Sequence, residues 1–313
     1  MIDRITKGCG YMKYVIKVKK IAKHILFPIF FIKDKIVKIL YPIEIYNTED
    51  TLEFLLSEEK SISRFGDGEF DLLKTGELGL QFQKKDKVLV EKLKNILTRK
   101  TKANNHIVAI PYALGDINGF SNISKKFWTI YSARNYTRIF QLLDKDYKYY
   151  DSQISRIYIN REDKSRTKYY FELWKNIWKN KNIIIVEGQY SRFGVGNDLF
   201  DNVNNIERIL CPNENAFSYY YEIKKAIIKN WKDQLVLLVL GPTATVLAYD
   251  LAICGTRAID IGNLDMEYEW YKINAQEKVN IKGKETIETS TKSNIEGFVD
   301  EMYQKQIITR IGC

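Results

Sequence analysis

The stretch L-V-L-L-V-L-G-P-T-A-T-V-L-A-Y-D, residues 235–250, decides how the chain folds. Six apolar residues in a row, with no polar alternation, make a strand covered on both faces, the pattern of a parallel sheet between helix layers. Gly241-Pro242 ends that strand, and Thr243 is a good cap for a helix over 244–254. The run I-I-I-V at 183–186 repeats the signal. Working outward, strands are expected at Ser61–Phe65, Ile107–Ile110, Ile157–Ile159, Ile183–Val186, Ile206–Leu210, Leu235–Leu240 and Ala258–Ile261. Amphipathic stretches at 48–58, 70–75, 86–99, 121–142, 163–178, 197–203 and 214–230 lie between them. Strand and helix in alternation imply an α/β sandwich, mostly parallel. No linker or repeat divides it, so one catalytic domain (48–313) follows an N-terminal arm (1–47).

Charge singles out the arm. The 313 residues carry a net +10, but residues 1–40 hold ten Lys/Arg against Asp3 and Asp34, leaving the rest near +2. The lysines are interleaved with Ile, Val, Leu and Phe. The longest uncharged run, Ile25–Ile32, has eight residues, far short of the roughly 20 that span a bilayer. No small-residue cleavage site follows, which speaks against a secretory signal. A basic amphipathic segment on an anionic membrane surface is the better reading. The alternative is a solvated helix docking its apolar side on the body. Lysine richness without an arginine cluster argues against nucleic acid. Cys9, Cys211, Cys254 and Cys313 are scattered without metal spacing, which suits a reduced, cytoplasmic setting. With only His24 and His106, neither near another candidate group in sequence, nucleophilic triads are set aside.

In open α/β sheets ligands sit beyond the carboxyl ends of strands, beside helix N-termini, and three such loops hold the chemistry. The first is S-I-S-R-F-G-D-G-E-F, residues 61–70. Asp67 and Glu69 are two apart, so on an extended strand end both would leave on one side, a pair suited to Mg²⁺ or Mn²⁺. Gly66 and Gly68 are equally ordinary turn chemistry. Arg64 is oddly spaced from both carboxylates and is expected to be free for an anion. The second loop, E-G-Q-Y-S-R-F-G-V-G-N-D-L-F (187–200), offers Ser191, Arg192, and the backbone of Gly194 and Gly196, with Asn197 and Asp198 beside them. It is no dinucleotide fingerprint, since Leu199 stands where a third glycine is needed. An internal Arg192–Asp198 pair is the competing reading. In the third loop, Gly241, Pro242, Thr243 and Thr245 open a helix that could face a phosphate, although capping alone explains the threonine. Beyond it, N-L-D-M-E-Y-E-W (263–270) reads as an acidic loop with Asp265, Glu267 and Glu269 alternating beside Tyr268 and Trp270. It could accept a proton, bind sugar hydroxyls or complete a metal shell. A kinase or NTPase motif is absent.

The segments R-F-G-D-G-E-F (64–70), V-E-G-Q-Y-S-R-F-G-V-G-N-D-L-F (186–200), R-I-L-C-P-N-E-N-A-F (208–217), L-G-P-T-A-T-V-L-A-Y-D-L-A (240–252) and A-I-D-I-G-N-L-D-M-E-Y-E-W (258–270) resemble the bacterial glycosyltransferase family of GT-D fold. That family was long filed as a domain of unknown function and occurs in streptococcal adhesin glycosylation and surface polysaccharide clusters. The resemblance covers about residues 48–290, not the arm. It implies a Rossmann-like α/β domain that uses a UDP-sugar and a divalent metal through a D-x-E motif, here Asp67 and Glu69. It further suggests that Arg64, Ser191 and Arg192 hold the diphosphate with the backbone of Gly194 and Gly241. Where relatives often carry histidine this chain has Asn263, so Asp265 or Glu267 is the expected base if the reaction inverts the sugar. With the basic arm, the expected acceptor is a lipid-linked repeat unit of capsular or exopolysaccharide at the inner face of the cell membrane. A soluble protein O-glycosyltransferase and a non-catalytic sugar-nucleotide-binding subunit are the alternatives.

Overall fold

Residues 26–76, 79–285 and 300–313 are described by a computed structural model. Residues 1–25, which hold seven of the arm's ten basic side chains, lie outside the described residues. Helix α1 (26–40) is followed by α2 (Thr48–Ser57), whose first turn is capped by the Asn47 side chain accepting from the Asp50 N–H at 2.9 Å. Strand β1 (Ser61–Arg64) leads into α3 (Asp67–Leu72), α4 (Lys87–Leu97) and β2 (His106–Ile110). Helix α5 (Asn122–Leu142), the short β3 (Tyr150–Asp151) and α6 (Thr167–Trp178) come next. The second half runs β4 (Asn182–Gly188), β5 (Asn205–Cys211), α7 (Tyr220–Asn230), β6 (Leu235–Val239), α8 (Pro242–Ile253), β7 (Ala258–Asp260) and α9 (Leu264–Lys272). Helix α10 (Glu301–Gln306) and β8 (Ile307–Arg310) close the described chain.

The strands form one sheet in the order β3-β2-β1-β7-β6-β4-β5-β8, and every neighbouring pair is parallel. Successive residues of a strand point to opposite faces, and β4 and β6 use both. Ile184, Val186, Val236 and Leu238 pack under the layer that contains α4, α5, α7 and α8. Ile183, Ile185, Leu235 and Leu237 pack under α2, α6 and α9. That two-sided burial is why these runs show no alternation.

Three expectations give way, and one strand was not foreseen. Residues 157–159 form no strand: Ile157 is apolar because it is buried in the second core, and the third strand is the two-residue Tyr150–Asp151. Residues 197–203 make turns instead of a helix, with Gly194 and Gly196 at φ 74° and 82°. Residues 264–272, read as an acidic loop, are helical. Strand β8 went unread because an edge strand half-exposed along I-I-T-R carries little apolar signal.

Candidate functional site

The β1–β7 seam joins the third and fourth of the eight strands, where Ile62 pairs with Ile259. Arg64 leaves β1 at its carboxyl end and is not free for an anion. Its Nη2 donates to Asp260 Oδ1 at 2.9 Å, its Nε to the Asp260 carbonyl at 2.6 Å, and its Nη1 to Ser152 O at 2.8 Å and Ser155 Oγ at 2.5 Å. Gly262, at φ 54°, lets the backbone pass this guanidinium: a Cβ there would lie 1.9 Å from Arg64 Nη2. Thr245 Oγ1 donates to Asp260 Oδ2 at 3.1 Å or to Arg64 O at 3.0 Å. Arg64 and Thr245 therefore build the seam. Burial pushes the Asp260 carboxyl up, and the Arg64 charge opposes it.

Just beyond the seam, α3 begins at Asp67. A helix turns residues two apart by about 200°, so Asp67 and Glu69 do not leave on one side as an extended strand would require. Asp67 is exposed on the first turn. Glu69 folds back so that Oε2 accepts the Gly66 N–H at 2.7 Å, as at a helix start. Desolvation pushes the Glu69 carboxyl up to about 7; the Gly66 N–H opposes this, and the neighbouring Asp260 and Asp67 carboxylates add to it. A carboxyl raised by burial and by two carboxylate neighbours is of the hard-oxygen type that a divalent cation would favour in its charged form. Among the described residues, no group of three or more His, Cys, Asp and Glu is already arranged as a metal shell.

The glycines of the other two loops make room for protein atoms. A Cβ on Gly194 would meet the Phe200 ring at 2.4 Å, and one on Gly241 (φ 53°) the Phe82 ring at 2.6 Å. Gly241 itself opens α8, with Pro242 in the first turn. Thr243 does not cap the helix: it is fully buried, and its hydroxyl sits 3.5 Å from Gln83 Oε1. Arg192 is 5% exposed, and its guanidinium lies 5.2 Å from the Tyr303 ring centre, on α10. It does not hold Asp198 as the competing reading required. Asp198 instead accepts from Lys175 at 3.0 Å, Lys272 at 2.9 Å and Tyr268 at 2.9 Å. Lys272 and Lys175 hold its carboxyl well below the usual range. Ser191 is half-buried and Gly196 is exposed.

Helical geometry also sorts the acids of α9. Asp265 and Glu269, four apart, share one face, and Glu267 turns to another. Glu267 is fully buried and accepts the N–H groups of Tyr158 at 2.7 Å and Ile159 at 3.0 Å, so it pins the 157–159 segment. Asp265, 2% exposed, takes Lys284 Nζ at 2.8 and 2.7 Å and Asn197 Nδ2 at 2.7 Å. Glu269 takes the same two donors at 2.6 and 2.7 Å. Of the three acids, Glu269 alone borders a cavity of 460 Å³ lined by Gly196, Asn197, Asp198, Asp201, Glu269 and Lys272. A hollow rimmed by carboxylates and an amide suits a hydroxyl-rich ligand.

The model for the GT-D fold glycosyltransferases matches residues 62–289. The chain belongs to that family. GT-D relatives include the glycosyltransferase GlyD of Streptococcus pneumoniae serotype 4 (strain ATCC BAA-334 / TIGR4), 39% identical over 279 residues and covering 89% of this chain but 34% of the relative. The probable glycosyl transferase Gly of Streptococcus gordonii is 35% identical, over 86% of this chain and 39% of its own. This chain thus spans between a third and two-fifths of those relatives. A solved domain described as having a distinct glycosyltransferase fold superposes with a TM-score of 0.82 at 38% identity, covering 88% of this chain and 98% of that one. A glycosyltransferase from Streptococcus sanguinis superposes at 0.81 with 36% identity, over 86% and 99%.

In this GT-D domain the residues that sequence reasoning missed act across long separations. Asp260 was passed over as a strand end, although a lone acid closing an apolar run was the available signal. Lys284 sits in a segment without periodicity. Phe82 and Gln83 are held over the α8 start by Asn215 N donating to Phe82 O at 2.8 Å and Phe217 N to Gln83 Oε1 at 3.3 Å.

Proposed function

We propose that the chain is a metal-dependent hexosyltransferase that moves a sugar from a UDP-sugar to a saccharide acceptor, a lipid-linked repeat unit of capsular or exopolysaccharide. The observation that carries this reading is Glu69 beside the Asp67 and Asp260 carboxylates at the β1–β7 seam, where burial and those neighbours raise its carboxyl, in a chain of the GT-D family. Asp67 and Glu69 would hold the cation, Mn²⁺ or Mg²⁺. Bound there, it supplies positive charge against the diphosphate of the departing UDP.

The chain's own groups do the rest. Arg64 and Thr245 fix Asp260, and with it the direction from which the cation site is closed. Ser191 and the backbone N–H groups beside Gly194, Gly196 and Gly241 hold phosphate oxygens, and Arg192 orients that loop from beneath. Glu269 and Asn197 bind sugar hydroxyls at the cavity. If the anomeric centre is inverted, Glu269 takes the acceptor proton in place of the expected Asp265 or Glu267, because it is the α9 acid that reaches the cavity. Asp265 and Glu267 are positioning residues. Residues 48–313 form the transferase unit, and residues 1–47 place it at the inner, cytoplasmic face of the cell membrane.

The test is UDP release and product mass over UDP-glucose, UDP-galactose and their N-acetyl forms with Mn²⁺, offered a lipid-linked saccharide or a glycopeptide. Release that needs the lipid-linked acceptor supports the proposal, and transfer to glycopeptide alone replaces it with adhesin glycosylation. Calorimetric binding of UDP and Mn²⁺ without any release would make the chain a non-catalytic subunit.

A further inference from the structure

Helix α1 is held to the body along one side. Val37 is 8% exposed, and Asp34, the single acid of residues 26–40, is turned inward and paired with Lys38 at 3.2 Å. Lys38 also donates to Ala113 O at 3.2 Å. Phe30 lies under Arg134 and Phe27 beside Lys126, both on α5, with cation-to-ring distances of 4.8 and 5.5 Å. Past the helix end, Tyr136 donates to Tyr41 O at 2.8 Å.

The opposite side is bare. Ile29, Ile32, Ile36, Ile39 and Leu40 are 59, 59, 50, 78 and 62% exposed, and Leu26 joins them at 42%. At about 100° per residue these six side chains fill an arc of roughly 140°. Lys35, exposed, borders it on one side, and Lys33, also exposed, lies within it between Leu40 and Leu26. Single apolar residues at a surface need no explanation, but six exposed aliphatic side chains on one side of a helix mark a face that something covers.

We infer that this arc of α1 is the docking surface for an anionic bilayer, an assignment that rests on the membrane placement proposed above and gives it an address. Lys33 and Lys35 choose the occupant. Their stems lie along apolar surface while their ammonium groups meet lipid phosphates. A second copy would bring the same lysines face to face. Seven further Lys/Arg stand in residues 1–25. No described helix is long and apolar enough to cross a membrane. With one side of residues 26–40 held to the body and the apolar arc on the other, this helix lies flat on the bilayer, arc inward. Because α1 is clamped to α5, the bilayer plane is fixed relative to the sheet. The family match begins at residue 62, so the device lies outside it.

Flotation of the full chain with phosphatidylcholine vesicles, with and without phosphatidylglycerol, tests this, with circular-dichroism melting as the check on folding. Wild type should float with the anionic vesicles. The variant Ile32→Ser/Ile36→Ser/Ile39→Ser should melt normally and bind about a hundredfold or more weaker. Lys33→Gln/Lys35→Gln should lose about tenfold, on anionic vesicles only. Undiminished flotation of the triple-serine variant overturns the inference while leaving a membrane role to residues 1–25. A wild type that ignores vesicles and sediments as a dimer dissolved by the same serines overturns it in favour of a second copy. A monomer that ignores both vesicles removes the inference and the membrane placement together.

Discussion

Two D-x-E segments follow neighbouring strands and open helices on opposite faces of the sheet, and their electrostatic surroundings differ. Asp265 and Glu269 of α9 face Lys284 and Asn197, and each carboxylate has a charged and a neutral donor within 2.8 Å. Glu69 of α3 receives one backbone N–H, and the charges acting most strongly on it are the carboxylates Asp260 and Asp67. One pair of acids faces a lysine of the protein; Glu69 faces two carboxylates, of which Asp260 is itself held by Arg64. The contrast teaches that acid content alone says little about a site; the groups that face each acid say more.

The largest effect should come from breaking the negative side. Asp67→Ala/Glu69→Ala should lower kcat/KM for UDP-sugar by about a thousandfold, with chelator doing the same to wild type. Activity within tenfold of wild type would dissolve the contrast. On the balanced side, Lys284→Met strands the buried Asp265 carboxylate and the half-buried Glu269 and should cost about 3–5 kcal/mol in urea unfolding. Adding Asp265→Asn should restore part of that loss, which a mere packing defect would not allow. Glu269→Gln keeps the donors satisfied but removes the charge at the cavity. It should lower transfer about ten- to a hundredfold at nearly unchanged stability, whereas Glu267→Gln should act on stability.

The smallest effect is on pH. Glu69 has a folded pKa raised to about 7 against an ordinary 4.5. Its contribution is therefore fully present below about 4.5 and is lost as pH rises toward 7. Without divalent cation the melting temperature should fall by a few degrees over that window. Mn²⁺ should restore it, most strongly above pH 7, and Glu69→Gln should flatten both responses.

How much of this was legible depended on whether the signal was local. Apolar runs such as I-I-I-V and L-V-L-L-V-L report burial on two faces and place their strands without any partner being known. The D-x-E of 67–69 was found, but its geometry was misjudged, because Gly66 and Gly68 say nothing about whether the chain turns helical one residue later. In 265–269 the i, i+4 relation of Asp265 and Glu269 was present in the spelling, yet alternation with Glu267 hid it. Arg64 was expected to be available because its partner, Asp260, is 196 residues away. Lys284 and Phe82 were invisible for the same reason: a tertiary partner leaves no periodic trace.

Strand β8 pairs with β5 at one edge of the sheet, and the residues that form it, 307–310, are the last strand of the described chain. During synthesis β5 is therefore made about a hundred residues before its neighbour, with a row of backbone donors and acceptors open to any passing strand. The nascent protein should need protection over that interval, and truncations short of residue 307 should yield aggregates more readily than inactive monomers.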